Sequence, residues 1–355
     1  GALSSSGGFA GTPFHTRIAE AYAQGAGWLA AIDMGHVLGR TNDRLGLSDA
    51  RYLIIEHREQ PNTKPENRAI LNFAGTRRGM ASWLAPPAPI GALDFVSPDA
   101  HAVTAMLAKN PQAMLDDLFA LFDSMAGGIR QDRQEFESAT GIDLRADLAG
   151  PLSGELVVAF DGAALPLPEW IAALEVYDPA RLQGAIEKGL AAASRHGGRS
   201  VPVTITKESV NGADWYTVHG LPVAVHYLYA GGYLLAGANR QVIVRAMQNK
   251  ANGYTLARSE AFIRLLPRDR HVNFSAMAYQ NVAGRLAGLA EKLSPQMRQS
   301  LGDLSKDAEP TLVLLYGEPD RIVLASQGDW LGLNPANLLM GSPLSALQGL
   351  NGKRR

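Results

Sequence analysis

His219, His226, Tyr227, Tyr229 and Tyr233 fall close together in the chain, with Trp215 just upstream. Imidazoles exchange protons near neutral pH, and tyrosines combine flat apolar area with a polar handle. On adjacent strands such side chains would build an aromatic shelf for a ligand. Ordinary cross-strand packing of strand-favouring residues would give the same composition. These five are the candidate ligand-binding residues, and no catalytic residue is assigned.

Other chemistries find less to work with. Asp94 and Glu175 occupy matching repeat positions midway along strands whose flanks are apolar, and a buried acid needs a partner. As a general acid/base pair they would have to be brought together by the fold. Asp116-Asp117 and Glu135 with Glu137 fit the solvated face of helices. Ser153, between Leu152 and Gly154, lacks the flanking pattern of a serine-nucleophile elbow and reads as turn chemistry. The glycine-rich run Gly7 to Gly11 has no preceding strand to aim amides at phosphate. Cysteine is absent and the eight histidines are scattered singly. Neither a thiolate nor a paired-histidine metal site is therefore expected, and no cofactor is assigned.

The elements that must position these residues are legible in part. Pro111 opens a helix with Met114, Leu115, Leu118, Phe119, Phe122 and Met125 on one stripe, stopped at Gly127-Gly128. A shorter helix around Ile129, Arg133 and Phe136 ends before Gly141. Asp178-Pro179 starts another, lined by Leu182, Ile186 and Leu190. Val201–Thr206, Trp215–His219, Val223–Tyr229 and Tyr233–Leu235 read as an antiparallel meander, because their connections are too short for crossover helices.

Three pairs of segments resemble one another. Ile90–Pro98 matches Ile171–Pro179, each read as a strand followed by a capping residue and a proline-initiated helix. In the first copy that helix carries Val103, Met106 and Leu107. Leu53–Glu59 with Arg68–Gly75 matches Leu312–Glu318 with Arg321–Gly328, each a hairpin. Phe14 leads to the strand Trp28–Asp33 much as Phe262 leads to His271–Tyr279, followed by a helix through Val282, Leu286 and Leu289. The expected fold is α+β, with antiparallel or mixed sheets, helices packed on them, and two related halves. The expected divisions are a flexible segment 1–12, halves 13–150 and 151–329, and an extension 330–355, whose apolar Trp330–Met340 stretch is expected to dock on the body.

Phe14 through Asp33 with Gly35-His36-Val37, and Ala261-Phe262 through Tyr279, resemble paired segments of the bacterial proteins grouped as domain of unknown function 3352. Phe136 through Gly150, followed by Gly154-Glu155-Leu156, is similar to the helix, loop and strand of that family. The resemblance implies an exported or envelope-associated protein and supplies no active site.

Composition narrows the partners. With 33 basic and 34 acidic side chains the net charge is −1, without the basic excess of a nucleic-acid binder. No apolar run reaches the length of a membrane span. At 46% hydrophobic residues the chain can bury a large core without cross-links. The favoured reading is an extracytoplasmic binding or scaffold protein whose partner is a small molecule or an envelope protein. The alternative is a hydrolase using carboxylates or the His219/His226 region.

Overall fold

The computed structural model describes residues 9–37, 46–59, 64–161, 169–196, 203–223, 225–267, 273–281 and 309–328. The chain begins with α1 (Pro13–Ala23), β1 (Trp28–Asp33), α2 (Met34–Val37), β2 (Ala50–Arg58), β3 (Glu66–Phe73) and β4 (Ala102–Leu107). Next come α3 (Pro111–Ala126), α4 (Ile129–Thr140), β5 (Leu152–Asp161), β6 (Glu169–Val176) and α5 (Pro179–His196). Then follow β7 (Thr204–Val210), β8 (Ala213–His219), β9 (Val225–Ala230), β10 (Tyr233–Gly237) and α6 (Arg240–Asn252). The last elements described are α7 (Glu260–Ile263), β11 (Ala276–Gln280), β12 (Thr311–Glu318) and β13 (Arg321–Gln327).

All strands among the described residues join one 13-stranded sheet in the order β1-β2-β3-β13-β12-β11-β4-β5-β6-β10-β9-β8-β7. Every neighbouring pair is antiparallel. The fold is therefore mixed helix and sheet, as the sequence implies. Both expected hairpins form, β2 with β3 and β12 with β13, and they lie side by side through the β3–β13 pair. The first and last hairpins are thus neighbours, and a division at residue 150 does not divide the sheet.

Because side chains alternate across a strand, the register sorts the sheet into two faces. The front carries the main core, with Val157, Leu235, Met277, Tyr279 and Leu314 packed against Val242 and Ile243 of α6 and against Phe262 of α7. The back carries a second core at the β6–β8 end, where Leu182 of α5 meets Tyr216, Tyr227 and Leu234. A small third cluster, Ala50, Phe73 and Ala81, closes one end of β2 and β3.

Side-chain caps fix the starts of α3 and α5, which the sequence located, and of α6, which it did not. Asn110, Asp178 and Asn239 each follow a strand and accept a backbone N–H from Ala113, Arg181 and Val242, at 3.0, 3.0 and 2.9 Å. One expectation fails. Gly91–Phe95 is a tight helical turn rather than a strand, so Asp94 is not a strand residue. Ser97 Oγ accepts from the Asp99 N–H at 3.1 Å in a turn, and no helix follows. The segment from Ala102 is the strand β4, because Val103, Ala105 and Leu107 alternate into the core. Residues 90–108 therefore form a turn and then a strand, whereas 171–190 run from β6 into α5 as a strand-then-helix unit. Val282, Leu286, Leu289 and Trp330–Met340 lie outside the described residues, as do His271 and Val272.

Candidate functional site

The meander places the five candidate residues on different surfaces. His226 lies opposite Thr217 in register, and these two share the front face with His219 and Trp215. His226 Nδ1 is 3.1 Å from Thr217 Oγ1, and His219 Nε2 is 3.0 Å from Thr206 Oγ1. Burial, then the nearby Arg240 and His219, hold the His226 imidazole below its ordinary value, favouring the neutral ring. Arg240 itself lies 5.4 Å from the Trp215 ring centroid and pairs with Glu208 at 2.6 Å.

Tyr227 and Tyr229 point to the back. Both hydroxyls donate to Gln183 Oε1 on α5, at 3.1 and 3.2 Å. Tyr216 stacks on Tyr227 with centroids 5.0 Å apart. Burial pushes the Tyr227 phenol up to about 12 and raises Tyr229 as well. These rings make a helix-covered core, so the aromatic shelf does not assemble. The packing that mimics such a shelf in composition accounts for them.

Tyr233 is again on the front, at the other end of β10. Its hydroxyl donates to Glu155 Oε1 at 2.9 Å, and the same oxygen accepts the Ala92 N–H. Burial raises this phenol, followed by the charges of Glu155, Glu175 and Asp94. The fold thus brings Asp94 and Glu175 toward one group, although Asp94 arrives from a turn. Lys250 Nζ sits 4.2 Å from the Phe95 centroid and 5.0 Å from that of Tyr233. The phenol stays protonated while Glu155 ties the Gly91–Phe95 turn to the sheet. Ser153 Oγ accepts the Glu155 N–H at 3.1 Å, which is turn chemistry at the β5 irregularity.

Acids expected on solvated helix faces do more than that. Asp117 accepts from Trp83 Nε1 at 2.8 Å, Asp116 pairs with Arg145 at 2.8 Å, and Glu137 pairs with Arg133 at 2.9 Å. Sequence reasoning also passed over Arg77, which is buried and donates to the carbonyls of Glu318, Ala81 and Leu84. On the front of β2 and β3, Glu56 faces Arg68 and Arg58 faces Glu66, forming a four-residue square of alternating charge. On the back, His57, Asn67 and Ser326 lie in one cross-strand row, and His57 Nδ1 is 2.6 Å from Asn67 Oδ1.

Beside that row runs the feature with the greatest extent. Ala30, Ile55, Ala69 and Leu324 are successive register partners across β1, β2, β3 and β13. The same row continues through Leu315, Ala276, Met106 and Leu156 on β12, β11, β4 and β5. It ends at Leu174 and Leu234, where the α5-covered core begins. At strand spacings of ~4.8 Å this apolar lane is about 40 Å long. It contains no charged or polar side chain, and from Ile55 to Leu315 each residue is partly exposed. Ile55, Ala69, Leu324 and Leu315 belong to none of the three buried clusters among the described residues. Its register depends on the β3–β13 pairing, which no local sequence pattern encodes.

No cluster of three or more candidate metal-ligating side chains occurs among the described residues. No helix among them is long and apolar enough to cross a membrane. Comparison of the chain with protein-family models, curated proteins and solved structures found no match.

Proposed function

We propose that this chain is a non-enzymatic binding or scaffold protein of the bacterial envelope or exterior, presenting the back of its sheet to an apolar occupant. The observation that carries the reading is the uncharged lane, partly exposed along its β2–β12 stretch. Exposed contiguous apolar surface is costly in water and marks interaction sites. The chemistry-bearing groups point the same way: Gln183, Glu155, Thr206 and Thr217 already engage the candidate tyrosines and histidines in structural hydrogen bonds. The envelope location rests on the family resemblance alone.

We also read β1-β2-β3 and β11-β12-β13 as copies of one ancestral unit. Two of the three sequence matches fall within these strands. The strand order mirrors about the β3–β13 pair.

Native mass spectrometry of protein purified from its own host should show a co-purifying apolar molecule or a partner protein. Protein free of both, together with turnover of an ester, peptide or glycoside substrate that His226→Ala abolishes, would replace this reading with the hydrolase.

A further inference from the structure

We infer that His57 is a proton-operated latch on the seam between the first and last hairpins, closed while its imidazole carries both protons and loosened when one leaves. Asn67 sets the geometry. Its Nδ2 donates to the Gly328 carbonyl at 2.9 Å, which fixes the amide with Oδ1 toward His57. That oxygen only accepts, so His57 Nδ1, 2.6 Å away, must carry a proton. The other ring nitrogen, Nε2, lies 3.1 Å from Glu59 Oε1. An ionised carboxylate also only accepts, so Nε2 is a donor too. Both contacts are satisfied by the imidazolium and by neither neutral tautomer.

The pair has no easy way to rearrange. Asn67 is 2% exposed, so turning its amide to offer Nδ2 to a neutral ring would leave the Gly328 carbonyl without its donor. The Gly328 N–H in turn donates to the Pro65 carbonyl at 2.9 Å. One relay therefore runs from Glu59 and His57 through Asn67 to Gly328, joining β2 and β3 to the end of β13. Among the described residues, Glu59 is the charged side chain that faces the ring. In the same row β1 presents Trp28, β3 Asn67 and β13 Ser326, none of which titrates near neutrality. Glu56, Arg58, Glu66 and Arg68 stand on the opposite face. The Asn67 hydrogen bond raises the imidazole above its ordinary value, burial opposes this, and Glu59 adds to it. The latch therefore contributes fully below the unfolded value of about 6.5 and is lost as pH rises through the folded one.

The experiment is nuclear magnetic resonance on the full chain with nitrogen-15 histidine, the His57 ring being assigned by its disappearance in His57→Gln. Its titration midpoint should lie above about 6.5, and both ring nitrogens should be protonated at about pH 5.5. Glu59→Gln, at a mostly exposed side chain, should lower that midpoint. Across the titration the Gly328 amide should exchange roughly tenfold faster relative to the same amide in His57→Gln, the size of one lost charge-assisted hydrogen bond. Should His57→Gln fail to fold, through-bond correlation assigns the ring, and the midpoint and its fall in Glu59→Gln carry the test. A midpoint at or below about 6.5, or one unprotonated ring nitrogen at about pH 5.5, would overturn the inference. So would a Gly328 exchange profile that is the same with and without His57.

Discussion

Asp178 shows how much a single side chain can be asked to do. It follows β6 and satisfies the Arg181 N–H at the start of α5, the helix that seals Tyr227 and Tyr229. Asp178→Ala should cost about 1 kcal/mol by leaving that donor unpaired, read as a lower urea midpoint, and an unchanged midpoint would count against the cap. The buried phenols set a second expectation. Burial raises Tyr227 to about 12, and Tyr229 and Tyr233 rise as well. A folded-state value above the unfolded one means the folded chain holds its proton more tightly. That stability is complete below the unfolded value near 10 and is lost as pH rises through the folded values. Once His57 has titrated, urea midpoints should hold steady up to about pH 10 and then fall steeply, with tyrosinate absorbance appearing together with unfolding. Tyrosinate that develops smoothly near pH 10 in folded protein would contradict this.

At the scale of elements, Gly154 sets how closely the end of β4 and the start of β5 approach. Its φ is +103°, and a Cβ there would lie 2.2 Å from the Ala108 carbonyl oxygen, whose residue donates its N–H to Gly154 O at 2.8 Å. Gly154→Ala should cost about 3 kcal/mol through combined backbone strain and collision, measured by thermal or urea unfolding. A loss below about 1 kcal/mol would mean that β4 and β5 part easily here. Much of the element inventory was legible because its signals are local: Asn110-Pro111, Asp178-Pro179 and Gly127-Gly128 mark helix ends whatever surrounds them. β4 was not. Val103, Met106 and Leu107 fit a helical stripe as well as Val103, Ala105 and Leu107 fit a strand, and only docking between β11 and β5 decides between the periods. The candidate site failed for a related reason. Tyr227 and Tyr233 are near in sequence but lie on opposite faces, since the turn between β9 and β10 sets Tyr233 against Ala230.

The whole molecule is organised by one non-local decision, the joining of β3 to β13. A fragment spanning residues 13–150 would contain β1 to β4 but lack β13, a partner of β3, and both β11 and β5, the partners of β4. We expect it to show no cooperative thermal transition by circular dichroism, and a sharp transition in the isolated fragment would show that the early strands form a unit of their own. The lane inherits the same dependence, because its middle third is supplied by β13, β12 and β11. There is also a consequence in time. The hydrogen bond from Asn67 to the Gly328 carbonyl spans 261 positions, and at 5–20 residues per second a ribosome takes about 13 to 50 s to cover that interval. Throughout it β3 has a bare edge and half an apolar lane, the combination that invites strand addition by a neighbouring nascent chain. The protein should therefore depend on a holding chaperone during synthesis far more than its folded stability would suggest, and slowing elongation should lower its yield.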